Sequence, residues 1–216
     1  MFEINSLEHV REEILHDTLV GKSSIYVLDN FYKNPDEVVG YLQSKPPTRW
    51  KANETPTYNG VHFHDLRHRI MNPEIEGVYQ QLSQLCGQEA FQSQHVLSNI
   101  SKFEHHAFND FQNNYWWPHL DLGYTAIVYL NGYETGGTNL YKPRSFDDQN
   151  CPEHYAPWRP REKWELKMTL MASYNRLVMF NGGHIHHGMS VEDETFFGDN
   201  WRANQVFFFK NPDPAS

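Results

Sequence analysis

The chain has 216 residues, 39% hydrophobic and 15% aromatic, with a formal net charge of −9 and two cysteines. That length and apolar content support one domain with a substantial core and exclude a fold that depends on a framework of disulfides. The acidic balance disfavours nucleic acid as a partner, and no stretch approaches the roughly 20 apolar residues of a membrane span.

In chain order, Met1 to Glu13 lacks the basic start and apolar core of a secretory signal, which with so few cysteines predicts a cytoplasmic setting. Glu8 to Leu19 reads as a helix with Ser6 as its cap, and Ser24 to Leu28 as a short strand. Asn34-Pro35-Asp36 starts a helix running to about Ser44, with Asn34 as cap and Pro35 at the first helical position. Lys45 to Gly60 is predicted to be loop. His62, His64 and His68, near Arg67 and Arg69, read as an exposed polar loop or, more sharply, as a lid that touches substrate. Asn72-Pro73 opens a helix that ends near Cys86-Gly87.

From Gln94 the pattern turns to β. The runs Val96 to Phe103, Thr125 to Asn131, Thr138 to Tyr141, Arg176 to Phe180 and Asn204 to Phe209 are separated by turn residues. Arg161 to Met171 fits helix or strand, and the tail from Asn211 reads as a loose end. Helices first and strands later predict an α+β, mainly β fold. Its N-terminal helices, in about 1–92, pack on one sheet of a jelly-roll core, a double-stranded β-helix in about 93–210, within a single domain over 1–216.

Thirteen histidines are present, so ligand spacing is informative. Tyr115-Trp-Trp-Pro-His119-Leu-Asp121 holds a His-x-Asp pair whose members project to one face of an extended strand. Phe180-Asn-Gly-Gly-His184-Ile-His186-His187-Gly-Met-Ser190 offers three histidines after a strand and a glycine pair. Any one of them completes two His and one carboxylate, the facial triad that leaves positions open on Fe(II). Trp201-Arg202-Ala-Asn204 opens an apolar strand, and an inward Arg202 calls for an anionic partner such as a dicarboxylate. Tyr129 lies on a strand followed by Gly136-Gly137, and its hydroxyl could reach a bound carboxylate.

In this order the parts resemble the 2-oxoglutarate/Fe(II) oxygenase superfamily, particularly its prolyl-hydroxylase-like branch. The resemblance spans Phe103 to Phe209, with weaker support from Ile25 to Ser44. It implies Fe(II) on His119, Asp121 and His187, the last chosen over His184 and His186 because His187-Gly-Met continues the family pattern. It implies 2-oxoglutarate held by Arg202 and Tyr129 with Asn204 as a polar helper, and O2 as the second co-substrate. It further implies hydroxylation of a C–H bond in a peptide, amino acid or small metabolite. Asp121 argues against halogenation, because halogenases of this class lose that carboxylate.

There are departures. Glu192 to Asn200 lengthens the distance from His187 to Arg202 and would have to loop out. His184-Ile-His186 also evokes a cupin, although the glutamate expected four or five residues on is absent. Two other readings therefore stand beside the oxygenase: a non-catalytic jelly-roll module that binds a ligand or partner, and a cupin-type metalloenzyme. Nothing in the sequence sets an oligomeric state.

Overall fold

The computed structural model describes residues 1–17, 21–44, 48–49, 61–66, 73–86, 95–103, 108–132, 134–145, 158–197, 200 and 202–209. The N-terminal part holds β1 (Arg11–Asp17), β2 (Gly21–Leu28), α1 (Pro35–Gln43), β3 (Thr48–Arg49), β4 (Val61–Leu66), α2 (Pro73–Leu85) and β5 (His95–Phe103). Then come α3 (Phe108–Asn113), β6 (Asn114–Trp116), β7 (Tyr124–Tyr129), β8 (Thr138–Pro143), β9 (Trp158–Pro160) and β10 (Trp164–Leu170). The last strands are β11 (Arg176–Asn181), β12 (His186–Met189) and β13 (Arg202–Phe208). The protein is thus mainly β, with few helices and antiparallel pairing throughout.

An eight-stranded sheet runs in the order β1-β2-β11-β7-β13-β5-β4-β3, and a three-stranded sheet in the order β10-β8-β12. Alternation along each strand assigns the two faces of the large sheet. Ala126, Val128, Leu177, Met179, Phe207 and Phe209 face Val38 and Leu42 of α1 and Ile75, Val78, Tyr79 and Leu82 of α2. Their neighbours Ile127, Tyr129, Val178, Phe180 and Val206 face Leu140 and Leu170 of the small sheet, together with Ile185. Two apolar layers therefore sandwich the large sheet. The faces are locked at one corner by Asn175, whose side chain exchanges two 2.8 Å hydrogen bonds with the backbone of Tyr32. Asn175 sits at φ 61, a conformation asparagine tolerates better than most residues.

Several expectations change. The helix over Glu8 to Leu19 is instead a three-residue 3-10 turn, Leu7–His9, followed by strand β1. Ser6 does cap that turn, accepting from the Glu8 N–H at 3.2 Å. The adjacent β2 satisfies the backbone of residues 11–17 and lets Leu15 enter the sandwich core, and this tertiary gain overrides helical spacing. Helices and strands are accordingly interleaved, rather than helices first. Residues 61–66, read as loop, pair as β4 between β3 and β5. The ambiguous Arg161 to Met171 segment resolves into a 3-10 turn and β10. Of the Glu192–Asn200 insert, expected to loop out, Glu192 to Glu194 are exposed, but Phe196 and Phe197 turn inward and are buried in a cluster with Phe111, Trp116 and Trp117. Most of the Lys45 to Gly60 loop, the tail from Asn211, Arg67 and His68 lie outside the described residues. No helix among the described residues is long and apolar enough to cross a membrane.

Candidate metal centre

His119 lies on the segment between β6 and β7, and His187 on β12. The two join through reciprocal backbone hydrogen bonds, His119 N to His187 O at 3.0 Å and His187 N to His119 O at 2.9 Å. This register places both imidazoles on one side, with ring centroids 4.5 Å apart. Asp121 follows two residues after His119 and is anchored by its N–H on the Gly182 carbonyl at 2.9 Å. The ligand atoms of His119, Asp121 and His187 all lie within 4.8 Å of one another. Among the described residues, no other group of three or more such side chains gathers in this way. His186 and His184 stay out of it. His186 points to the opposite face of β12 and packs on Trp164, with centroids 5.1 Å apart. His184 is exposed in the turn before β12, beside the Asn181 amide at 3.3 Å.

Each of these two imidazoles is held by its far nitrogen. His119 Nδ1 lies 2.7 Å from the Trp117 carbonyl, and His187 Nδ1 lies 2.9 Å from the Ile185 carbonyl. A carbonyl only accepts, so both Nδ1 atoms donate, and a ring in its neutral form then turns its Nε2 lone pair inward. The lone pair on His187 Nε2 then faces Asp121 Oδ2 at 3.1 Å, and that on His119 Nε2 stands 3.9 Å from Asp121 Oδ1. Three acceptors converge on one point, and a cation relieves their repulsion. A proton shared by His187 and Asp121 would relieve one contact and leave His119 unserved.

The electrostatics agree. Burial, then the neighbouring His187, lowers the pKa of His119 to about 4, leaving it neutral and available at pH 7. Its side chain keeps 32% of its surface open, so the centre can be reached from solvent. Burial raises the pKa of Asp121, but the neighbouring His187 and His119 and the Thr125 hydroxyl outweigh it and lower the value to about 2, so Asp121 is a carboxylate at neutral pH. Thr125, the second residue of β7, donates to Asp121 Oδ2. Gly182 makes that contact possible: a Cβ there would collide with the Thr125 hydroxyl and come within 3.1 Å of Asp121 Oδ2.

A second pole lies on the same inner face. Thr125, Ile127 and Tyr129 alternate inward along β7, which separates the Thr125 and Tyr129 backbones by about 13 Å. Tyr129 pairs with Asn204 of β13 in register, and its hydroxyl bonds Thr138 at 2.7 Å. Burial pushes the Tyr129 phenol up to about 12. Arg202, two residues before Asn204 and also buried, donates from Nε to the Gly136 carbonyl at 3.0 Å. Burial lowers its pKa to about 10, leaving it cationic at neutral pH. Phe196 of the insert presses on the α-carbon side of Gly136, which fixes the carbonyl that Arg202 uses.

The sequence reading did not find Thr125, the Trp117 and Ile185 carbonyls or Thr138. Thr125 alone leaves a sequence signal, a polar residue near the start of an otherwise apolar strand. Side chains of His62 and His64 lie outside the described residues.

The metal-free protein is expected to lose stability as pH falls from 7 to 5. His119 and His186 are both lowered to about 4, His186 by burial and then by His187. Between the ordinary value of 6.5 and about 4 the unfolded chain takes up protons that the fold resists, so stability falls on acidification. The midpoint of denaturant unfolding, measured in chelator across this window, should drop. A flat profile would show that the two rings are not shielded as described.

Residues 12–159 match the model of DUF6445, a family of unknown function. No curated protein matches the chain. Among solved structures, the chain is similar to an oxidoreductase of the 2OG-Fe(II) oxygenase family from Burkholderia pseudomallei, at 12% identity and a TM-score of 0.47, over 85% of this chain and 82% of that one. It is also similar to a Pseudomonas putida prolyl-4-hydroxylase, at 11% identity and a TM-score of 0.46, over 88% of this chain and 93% of that one.

Proposed function

The chain belongs to the DUF6445 family, whose function is unknown, and from its own side chains we propose that it is a non-haem Fe(II) dioxygenase. In this reading it couples oxidative decarboxylation of 2-oxoglutarate to hydroxylation of a substrate C–H bond, in a peptide or amino-acid side chain or a small metabolite. The observation that supports it most is the convergence of His119 Nε2, His187 Nε2 and an Asp121 oxygen on one point. Two imidazoles and one carboxylate on one side fit Fe(II) and leave positions for further ligands. When bound, Fe(II) with 2-oxoglutarate and O2 supplies the oxidising chemistry.

The chain's own residues do the rest. The Trp117 and Ile185 carbonyls fix the tautomers of His119 and His187, and Thr125 orients Asp121. Arg202, with the Tyr129 hydroxyl and Asn204 beside it in register, would receive the far carboxylate of 2-oxoglutarate, a planar anion suited to guanidinium. The Phe180 ring packs 4.9 Å from His187 and Trp117 packs 5.5 Å from His119, so one side of each imidazole is apolar. We read the two facing sheets as a double-stranded β-helix that forms a single domain over the chain.

Anaerobic addition of Fe(II) and then 2-oxoglutarate to metal-free protein tests this. The expected result is a weak visible charge-transfer band, with succinate released on admitting O2. No band and no retained iron would sink the oxygenase reading and favour a binding module.

A further inference from the structure

Among the described residues, Trp117 is one of three non-glycine residues with positive φ, at 41°. A left-handed backbone is costly for a bulky side chain, on the order of tenfold in population. Pro118 follows, and a proline further biases the residue before it toward extended backbone. Strain of this kind persists only where surroundings over-determine it. The indole of Trp117 is buried in an aromatic cluster with Phe111, Trp116, Phe196 and Phe197. Its carbonyl is the partner of His119 Nδ1, at 2.7 Å. From the other side, Gly188 leaves the space these carbonyls occupy. A Cβ at Gly188 would collide with the Trp116 carbonyl and come within 3.2 Å of that of Trp117.

We propose that Trp117 is a positioning residue: its anchored indole holds a strained backbone that aims its carbonyl at His119 Nδ1 and so turns Nε2 toward the metal. This rests on the metal-centre reading. It accounts for a strained tryptophan immediately before a proline and two residues from a ligand. It also gives Phe196 and Phe197 of the insert a task, because they help to form the anchor.

The test compares Trp117→Ala, Trp117→Gly and Trp117→Phe. Alanine loses the anchor and still bears the left-handed cost, so its backbone should relax and release His119. Glycine loses the anchor but adopts positive φ freely. Phenylalanine keeps an aromatic anchor. Co(II) affinity should therefore fall about 10-fold or more in the alanine variant, the range for losing an imidazole's outer partner. It should fall by less than about threefold in the glycine and phenylalanine variants. The ring-nitrogen NMR shifts of His119 in metal-free protein give an independent readout. The Nδ1–H tautomer should persist in wild type, glycine and phenylalanine forms and be lost in the alanine form.

A merely structural tryptophan predicts the opposite order, with glycine at least as damaging as alanine. That order, or three variants alike in both measurements, overturns the proposal. If wild-type protein binds no Co(II), the metal-centre reading falls, while the tautomer signals still decide whether Trp117 positions His119. If the alanine variant does not fold, glycine binding weaker than phenylalanine by tenfold overturns it equally.

Discussion

Asp121→Asn is expected to lower Fe(II) affinity by more than about 100-fold, beyond the loss that follows from removing an outer hydrogen-bond partner. The change keeps shape and volume and removes the charge. In metal-free wild type the carboxylate faces the inward nitrogens of His187 at 3.1 Å and His119 at 3.9 Å. An amide can donate to His187 Nε2, satisfying the lone pair that otherwise awaits a cation. Thr125 can still bond to position 121, since a hydroxyl both donates and accepts. Metal-free Asp121→Asn should therefore unfold at a temperature equal to or above that of metal-free wild type, while binding of Fe(II) or Co(II), followed by calorimetry, is nearly lost. Metal binding within tenfold of wild type would show that Asp121 is not a ligand.

Arg202→Met is expected to weaken 2-oxoglutarate binding by about 30-fold or more, with Fe(II) affinity unchanged. Removing one member of a buried charged pair costs about 2–5 kcal/mol, and each 1.4 kcal/mol is tenfold. Arg202 is buried on the inner face beside Tyr129, four residues along β7 from Thr125, so the cationic pole and the metal pole are separate. Arg202→Lys keeps the charge and loses the planar fork, so it should fall between wild type and methionine. Tyr129→Phe removes one donor to a charged group and should cost about tenfold. Titrating 2-oxoglutarate into Fe(II)-loaded variants and reading the visible band gives these affinities directly. Unchanged 2-oxoglutarate affinity in Arg202→Met would remove Arg202 from the co-substrate site. A parallel loss of Fe(II) would mean that the substitution had disturbed the fold rather than one pole.

How much of this was legible in the sequence varied with the range of the interaction. The strands β5, β7, β8, β11 and β13 were predicted to within a few residues, because each is a β-rich run between turn residues. The Asn34-Pro35 start of α1 was legible too, although Asn34 makes no side-chain cap bond. The failures were non-local. Residues 11–17 carry helical spacing and become β1 because β2 lies alongside. Phe196 and Phe197 turn part of an insert inward because an aromatic surface waits on α3 and β6.

The centre divides the same way. His119 and Asp121 are two residues apart, so covalent geometry alone brings them together once the segment is extended, and the sequence determined that by itself. Thr125 reaches Asp121 only because a turn brings β7 back beside it, and the strain at Trp117 exists only because a distant aromatic cluster holds it. Only the tertiary structure decided which of His184, His186 and His187 joins the pair. The bridge between His119 and His187 fixes the register of β12, and with side chains alternating every residue, a slip of one position would have turned His186 inward and His187 away.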